Sequence, residues 1–449
     1  MKGRVHAPPV GPELCALNAS SHVPLFVEVD HSLPLVDFLF IVDAGGADDA
    51  PAQAGRTALA ARMLRKGTRR LQAPQVEAQL AGLGAELGIE VTQHSVRIAG
   101  SVIRRHLDAF IALLSALMQA PALRARDVAQ LQRQCVAMQQ SLLEHDQALA
   151  HVAFRQHLFG GHPYGRQVGG WARTLKALRA ADLRPWWEAS LHAAAVHFGF
   201  AGDLTPEDAM QLVQRHFAWL PAGKKRRRSG HDAAVPSGRR VRLVHQPGRS
   251  QAQLCIGTVG GRLDDADTYP MRIANVAFGG MFSAPLMQEV RAKRGWSYGA
   301  SSRYGQGRMR DAWCMYTAPA SADAAACAAL QLDLMEAWVA KGPRAPDFRL
   351  AQRHLQHSHC FAIDTAAKRL EARMDVHFYG LPEGHYSDHM GLLGQVTRAE
   401  AKMALQRRLD PAQLCITAVA DAAMVHDGFA ALPGVEVVEV IDAKDVLQP

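Results

Sequence analysis

Two residues, Arg291 and Tyr298, have the types and the spacing to act together on one substrate group. They lie seven positions apart across a predicted junction between an amphipathic helix and an aromatic strand, so both can face one cleft. A guanidinium and a phenol are donors that can hold a carbonyl group and the oxyanion that develops from it. The simpler interpretation is a helix C-terminus, with Arg291, Lys293 and Arg294 on its negative end and Gly295 closing it. On this segment alone the simpler interpretation is favoured.

A histidine-rich stretch is the main rival candidate for chemistry. His354, His357, His359 and Cys360 have helical spacing and are ligand types for zinc or copper. No second cluster with defined spacing completes the set, so an incidental role is favoured. Histidines at positions 145, 151, 157 and 162 do not keep to one helical face and are predicted to line a surface.

Glycine pairs and serines add no further site. The Gly-Gly pairs at 45, 260 and 279 are not followed by the residues of a phosphate-binding loop, which argues against nucleotide binding. Ser283 and Ser297 have no recognisable His and Asp partners in the sequence, so a serine hydrolase is not favoured.

The elements that must position Arg291 and Tyr298 belong to a weak internal duplication. Residues 36–49 and 253–265 each show a β-rich run, a Gly-Gly pair and two Asp residues. Predicted strands at 96–103 and 313–318 are each followed by an apolar helix, over 106–119 and 324–340. The second Gly-Gly pair follows the first by 215 positions, and Asp421 follows Asp203 by 218. The prediction is an α+β fold of two homologous domains, each a mixed or antiparallel sheet covered by helices.

A polar, basic stretch separates the two halves. Residues 221–238 are rich in Gly, Ser, Pro and basic residues and have no helical or strand period, which is typical of a linker. The predicted domains are therefore 1–220 and 239–449. The run at 224–228 supplies +5 of the net charge of +8, so the basicity is local and does not favour a nucleic-acid binder.

The cysteines and the hydropathy of the sequence indicate the cellular compartment. The seven cysteines are scattered and include no CxxC pair, which favours free thiols in a reducing environment. No stretch is long and apolar enough to span a bilayer, and the N-terminus has no export signal pattern. We expect a cytoplasmic protein with no membrane partner.

Several segments, taken in order, resemble the insulinase/pitrilysin-type zinc peptidases over nearly the whole chain. The segment 278–300 resembles the family's substrate-binding segment, in which an Arg and a Tyr at this spacing hold the peptide near the scissile bond. Residues 55–68, ending in Lys66-Gly67-Thr68, resemble the surroundings of its metal motif, and 162–170 resemble a later turn. The resemblance implies that Gly279, Gly280, Phe282 and Ser283 contribute to substrate binding.

The same resemblance implies that the zinc site is lost. The family's His-x-x-Glu-His falls on Ala58, Ala61 and Arg62, and its distal Glu ligand falls near Met138 or Gln139. These side chains are apolar, neutral or cationic and cannot form the hydrolytic zinc site. We therefore expect no metal and no cofactor in this chain, and no metallopeptidase activity from it alone.

Some bacterial members of that family work as pairs of chains, one with the zinc motif and one with the Arg/Tyr pair. The resemblance implies that this chain is the non-zinc subunit of a heterodimeric zinc peptidase. A homologous partner would carry zinc, and Arg291 and Tyr298 would act in trans on an extended peptide. The alternative is a catalytically inert scaffold or maturation factor that binds a peptide without contributing to its cleavage.

Overall fold

The computed structural model describes residues 13–18, 21–224 and 230–448, and these form two six-stranded sheets covered by helices. The strands in chain order are β1 (Glu13–Asn18), β2 (Ser21–Val29), β3 (Leu35–Val42), β4 (Gly88–Val91), β5 (Val96–Ile103), β6 (Val196–Gly202), β7 (Arg239–His245), β8 (Gln253–Val259), β9 (Gly261–Arg262), β10 (Ala300–Tyr304), β11 (Gln306–Gly307), β12 (Ala312–Thr317), β13 (Leu414–Ala420) and β14 (Val435–Asp442). The short strands β9 and β11 pair with each other outside both sheets.

Helices make up most of the remaining described chain. They are α1 (Arg56–Arg62), α2 (Ala73–Leu83), α3 (Leu107–Gln119), α4 (Ala125–Gln140), α5 (Asp146–Phe159), α6 (Ala172–Ala177), α7 (Ala180–Ser190), α8 (Pro206–Phe217), α9 (Thr268–Asn275), α10 (Pro285–Met287), α11 (Ala324–Lys341), α12 (Ala345–Ser358), α13 (Ala366–Tyr379), α14 (Gly384–Ser387), α15 (His389–Gln395), α16 (Arg398–Arg408) and α17 (Ala422–Ala430). Among the described residues, no helix is both long enough and apolar enough to cross a membrane.

The two sheets repeat one order of strands. The first runs β1-β2-β6-β3-β5-β4 and the second β14-β7-β13-β8-β12-β10. Both are mixed, because β2 pairs with β6, and β7 with β13, in parallel, while the central strands pair antiparallel. The outer strands differ, since β1 is antiparallel to β2 but β14 is parallel to β7. The predicted α+β fold with two similar halves is confirmed.

Strand β3 shows why each sheet needs helices on both faces. Successive side chains of a strand point to opposite faces, and apart from Asp37 both sets in β3 are apolar. Phe38 and Phe40 join the large core formed with helices of the first half, whereas Leu39 and Ile41 join a cluster with Met374 of α13. One apolar face of the first sheet is therefore covered by a helix from the second half of the chain.

The halves exchange helices in both directions. Helix α5 packs on β13 and β8 of the second sheet, and α13 packs on β6 and β2 of the first. Ion pairs accompany the packing: Arg97 with Glu371 at 2.9 Å, and Arg155 with Asp311 at 2.7 Å. The helices start 220 positions apart, close to the spacing of the repeated sequence motifs.

The basic stretch between the halves is only partly described. Between α8 and β7 the described residues form neither helix nor strand. Of the basic run 224–228, only Lys224 is described, and residues 225–229 lie outside the described chain. The domain boundaries at 220 and 239 stay predictions.

Candidate functional site

The segment that carries Arg291 ends in a glycine cap. Helix α10 continues into a wider helical turn over Gln288–Lys293. Gly295 has a φ of 67° and donates its N–H to the Arg291 carbonyl at 3.0 Å. A glycine in the left-handed region closing a helix is a common C-cap. The backbone of this segment is therefore a helix C-terminus closed by Gly295, as the simpler interpretation has it.

The neighbouring basic side chains are already paired. Lys293 and Arg294 both bond Glu289, at 2.6 and 2.8 Å, and these hydrogen bonds lower the pKa of Glu289. Within the described chain, Arg291 has no carboxylate partner. Of the three basic residues at this helix end, Arg291 is the one with a guanidinium available to a ligand.

Arg291 contacts two exposed aromatic rings. Its guanidinium carbon is 4.5 Å from the ring centroid of Tyr298 and 5.0 Å from that of Phe282. Tyr298 is 86% exposed and Phe282 66% exposed, so the group opens to solvent. Cation–π contacts hold the flat guanidinium while leaving the N–H groups on its edge available. We call Phe282, Arg291 and Tyr298 the Arg–aromatic cluster.

The two glycines that precede the cluster in sequence, Gly279 and Gly280, differ in burial. Gly279 is buried, and a Cβ there would lie 2.6 Å from Ser302 Oγ and 2.8 Å from Ser302 N, so β10 approaches too closely for any side chain. Gly280 and Ser283 are exposed. Gly279 therefore acts through packing, whereas Gly280, Phe282 and Ser283 line the surface beside Arg291.

Supporting residues hold this corner of the second half. Asn275 donates its side-chain N–H to the Ser302 carbonyl at 3.2 Å and accepts from Trp313 Nε1 at 2.9 Å. Buried Ser297 donates to the Gly299 carbonyl at 2.6 Å and accepts from the Ala318 N–H at 2.9 Å, which anchors the loop that presents Tyr298. Sequence reasoning considered Ser297 only as a nucleophile, and missed Asn275, for which the sequence offers no signal.

The predicted metal position holds side chains that do not fit zinc. Ala58 and Ala61 are buried in α1, at 3% and 0% exposure. Arg62 donates to Cys135 Sγ at 3.1 Å, and buried Gln139 donates to the Gly170 carbonyl. Among the residues that the structure describes, no group of His, Cys, Asp or Glu is arranged to hold a metal ion. Zinc prefers nitrogen, thiolate and carboxylate ligands, and apart from Cys135 beside the Arg62 cation this position supplies none.

The start of α1 is organised by a buried carboxylate. Asp49 accepts from the N–H of Gly55 and Thr57, each at 3.1 Å, and from Thr57 Oγ1 at 2.7 Å. Burial raises the pKa of Asp49 despite these bonds. Asp49, the second of the two Asp residues after the first Gly-Gly pair, therefore satisfies N–H groups at the start of α1.

The histidine-rich stretch does not assemble as a metal site. His354 and Cys360 are exposed, and His359 instead stacks on His389 at 4.5 Å between ring centroids. His389 in turn approaches Tyr269, and burial, with Arg272 nearby, lowers the pKa of His389 to about 3. The other histidine prediction is wrong in part, because His157, on the exchanged helix α5, is half-buried against Thr417 of the second sheet, at 3.0 Å.

Comparison with known sequences gives one family and several relatives. The family model described as "Peptidase M16 inactive domain" matches residues 177–355. An uncharacterized zinc protease of Streptomyces coelicolor is 26% identical over 267 residues, covering 58% of this chain and 57% of that protein. The "Non-peptidase homolog YmxG" of Helicobacter pylori is 21% identical over 384 residues, and the alignment covers 85% of this chain and 87% of that protein.

Solved structures with the same fold cover nearly all of the chain. A peptidase M16 inactive domain from Pseudomonas fluorescens has a TM-score of 0.83 at 22% identity, covering 91% of this chain and 98% of its own. A protease from Helicobacter pylori has a TM-score of 0.80 at 12% identity, covering 91% of this chain and 100% of its own. At these identities the likeness concerns the fold alone.

Proposed function

We propose that this chain, which belongs to the M16 peptidase family, is the non-zinc subunit of a two-chain zinc peptidase. The observation that carries the proposal is a contrast within one chain. The Arg–aromatic cluster is exposed and has an unpaired guanidinium, while Ala58, Ala61 and Arg62 at the metal position cannot bind zinc. A chain that keeps substrate-holding groups without its metal can contribute to hydrolysis only beside a second chain.

The two proposed subunits contribute different groups to the reaction. The partner is a homologous subunit whose bound zinc activates the attacking water. Arg291 and Tyr298 donate hydrogen bonds to the peptide carbonyl and to the oxyanion formed from it. Removing one such donor in other hydrolases costs about 10²–10³ in kcat, so each substitution has a large expected effect.

The peptide is expected to bind in an extended form along a sheet edge. Strand β10 starts two residues after Tyr298 and is an outer strand of the second sheet. Outer strands present backbone N–H and C=O groups that an added strand can pair with. A peptide on β10 would run past the Arg–aromatic cluster, where Gly280, Phe282 and Ser283 can contact it.

The test mixes the purified chain with M16 subunits of its own organism that carry His-x-x-Glu-His. We expect peptide hydrolysis from the mixture and none from this chain alone. Arg291→Ala or Tyr298→Ala should each lower kcat/KM by a factor of about 10² or more. Lys293→Ala is the matched control, since Lys293 pairs with Glu289 on the same turn. Stoichiometric zinc and hydrolysis in the isolated chain would overturn the proposal.

A second function is favoured by one comparison, the relative named "Non-peptidase homolog" that aligns with 85% of this chain. In that case the chain is an inert peptide-binding scaffold or maturation factor. Full activity of the mixture with Arg291→Ala/Tyr298→Ala would support the scaffold, because a scaffold contributes no group to the reaction.

A further inference from the structure

A second surface feature lies in the first half, beside the lost metal position. It is an open cavity of ≈ 480 Å³. We call it the α1–α2 pocket, and its lining residues are Arg62, Arg65, Lys66, Ala73, Pro74, Glu77, Ile89 and Leu131. Arg62, which replaces the last histidine of the metal motif, thus opens onto a cavity with two further basic residues.

The charges in the α1–α2 pocket are not balanced. Arg65 bonds Glu77 through two nitrogens, at 3.0 and 2.5 Å, so this pair is neutral. Arg62 and Lys66 have no carboxylate partner anywhere in the described ranges. Arg62 donates one N–H to Cys135 Sγ at 3.1 Å, and its other N–H groups can bind a ligand. The pocket therefore presents two uncompensated cations to a ligand.

The turn that carries Lys66 is fixed in place. Arg124 donates to the Lys66 and Leu71 carbonyls, each at 3.3 Å, and also to the Thr68 carbonyl. Arg65 donates to the Leu87 carbonyl at 3.2 Å, which joins the turn to the segment before β4. A site held by such contacts loses little conformational freedom when a ligand binds.

The other walls of the pocket suit a peptide more than a small anion. Ala73, Pro74, Ile89 and Leu131 are apolar, and Ile89 belongs to β4, the outer strand of the first sheet. Apolar walls can contact the aliphatic stem of a side chain, and an outer strand can pair with an extended backbone. A free phosphate or a nucleic-acid backbone would use the two cations and leave these walls without a partner.

We propose that the α1–α2 pocket binds a carboxylate of an acidic peptide, with Arg62 and Lys66 as its ligands. Arg62 offers a planar set of N–H donors that matches a carboxylate, and Lys66 adds a point charge. The carboxylate is that of a Glu or Asp side chain or of a peptide C-terminus.

This inference stands apart from the role proposed for the Arg–aromatic cluster. The pocket lies on α1, the turn after it, α2, α4 and β4, whereas Arg291 and Tyr298 lie in the second half. Binding is measured on the isolated chain without a zinc subunit. The two proposals can therefore fail separately.

The experiment measures fluorescence anisotropy of three labelled hexapeptides with the full chain at low salt. The first has a central Glu among Val and Ala residues and an amidated C-terminus. The second replaces Glu by Gln, and the third keeps Gln but has a free C-terminus. We expect at least one carboxylate peptide to bind fivefold or more tightly than the neutral one, and this preference to weaken with salt. Comparing the two carboxylate peptides shows whether the pocket binds a side-chain carboxylate or a C-terminal one.

Substitutions assign the preference to the pocket. Arg62→Gln and Lys66→Gln are each expected to reduce it threefold or more, and together to abolish it. Arg349→Gln, at an exposed position of α12, removes the same charge and should leave it intact. If Arg62→Gln lowers the melting temperature, the binding result for Lys66→Gln tests the proposal instead. Within the described chain no hydrogen bond or ion pair holds the Lys66 side chain, so this substitution should not affect stability. Equal binding of all three peptides, an unchanged preference in the double variant, or tighter binding of a single-stranded 12-mer oligonucleotide would overturn the proposal.

Discussion

The guanidinium carbon of Arg291 lies 4.5 Å from the ring centroid of Tyr298, so the two residues form a contact before any ligand is present. Sequence spacing placed them at one cleft but gave no reason for them to touch. The contact fixes the plane of the guanidinium over the ring and limits the directions in which its N–H groups point. Arg291 and Tyr298 would therefore meet a peptide carbonyl as one preorganised unit.

Phe282, whose ring centroid lies 5.0 Å from the guanidinium carbon of Arg291, is expected to act as a positioning residue. Exposed cation–π contacts are worth about 0.5–1 kcal/mol, so in the two-chain peptidase Phe282→Ala should lower kcat/KM by about two- to fivefold. Phe282→Tyr keeps a ring and should retain activity. The expected loss is in kcat, because in the proposed mechanism the ring orders a group that acts on the oxyanion. Unchanged kinetics for Phe282→Ala, with Arg291→Ala inactive, would show that Tyr298 alone orients Arg291.

A glutamate at position 61, where the resemblance places the Glu of the family's metal motif, should destabilise the first half. Ala61 is fully buried, so Ala61→Glu places a carboxylate and its aliphatic stem in a packed region. Overpacking together with an unpaired buried polar group is expected to cost about 3 kcal/mol. Urea unfolding measures the change in midpoint. Ala78→Glu on the exposed face of α2 is the control and should shift stability by less than about 0.5 kcal/mol. Equal midpoints for the two variants would mean that the metal position is still an open site.

Local sequence pattern predicted the individual elements well. The strand expected at 96–103 has those bounds as β5, and the helices expected at 106–119 and 324–340 are α3 and α11 within one residue at each end. Alternating or continuous apolar runs fix which residues are buried, and Pro121 and Pro343 mark the helix ends.

The exchange of α5 and α13 between the sheets could not be predicted in this way. An apolar stripe on a helix shows that the helix is buried, but not which sheet covers it. Residues Leu370 and Met374 would fit either half by hydrophobicity, and their contact with Leu39 and Ile41 depends on the path of the whole chain. His157 was misplaced for the same reason, since its burial is created by the second sheet.

The candidate site was predictable only where a motif carried it. Arg291 and Tyr298 were singled out from residue type and spacing, whereas the loss at Ala58, Ala61 and Arg62 was implied by the family resemblance. The stacking of Phe282 on Arg291 and the anchoring of the loop by Ser297 depend on loop geometry, which has no period in sequence. The α1–α2 pocket unites residues from four elements and the turn after α1, and of these only Arg62 and Lys66 were named from the sequence, as parts of the metal-motif segment.

Protonation of His157 should weaken the fold at mildly acidic pH. Burial, with Arg242 and Arg240 nearby, lowers the pKa of His157 to about 3, whereas an unfolded histidine titrates near 6.5. Between these values the unfolded chain binds more protons than the native one, so this stability is present above pH 6.5 and is lost as pH falls towards 3. One such group changes the free energy of unfolding by about 1.4 kcal/mol per pH unit in this window.

Urea midpoints at pH 6.0 and 5.0 check this expectation. His157→Gln keeps a polar partner for Thr417 but cannot titrate, so its loss of stability between the two pH values should be about 1.2 kcal/mol smaller than that of the unmodified chain. His389, whose pKa is also lowered to about 3, contributes its own share in both proteins. His354→Gln at an exposed position should leave the pH profile unchanged. Parallel profiles for the unmodified chain and His157→Gln would contradict the assignment.

The contact between the exchanged helix α5 and the second sheet should depend on a single glycine. A Cβ at Gly257 would lie 2.0 Å from the Trp313 carbonyl oxygen and 2.9 Å from Phe154 Cζ, so β12 or α5 would have to move. Backbone cannot give way as a flexible side chain can, and we expect Gly257→Ala to cost about 2–3 kcal/mol. Gly161→Ala is the matched control, because nothing lies within 4 Å of its added methyl group. Urea unfolding compares the two variants, and tryptophan fluorescence, to which Trp313 beside the added methyl contributes, follows the same transition. If both variants unfold at the same urea concentration, the close packing of β8 against α5 does not limit the stability of the fold.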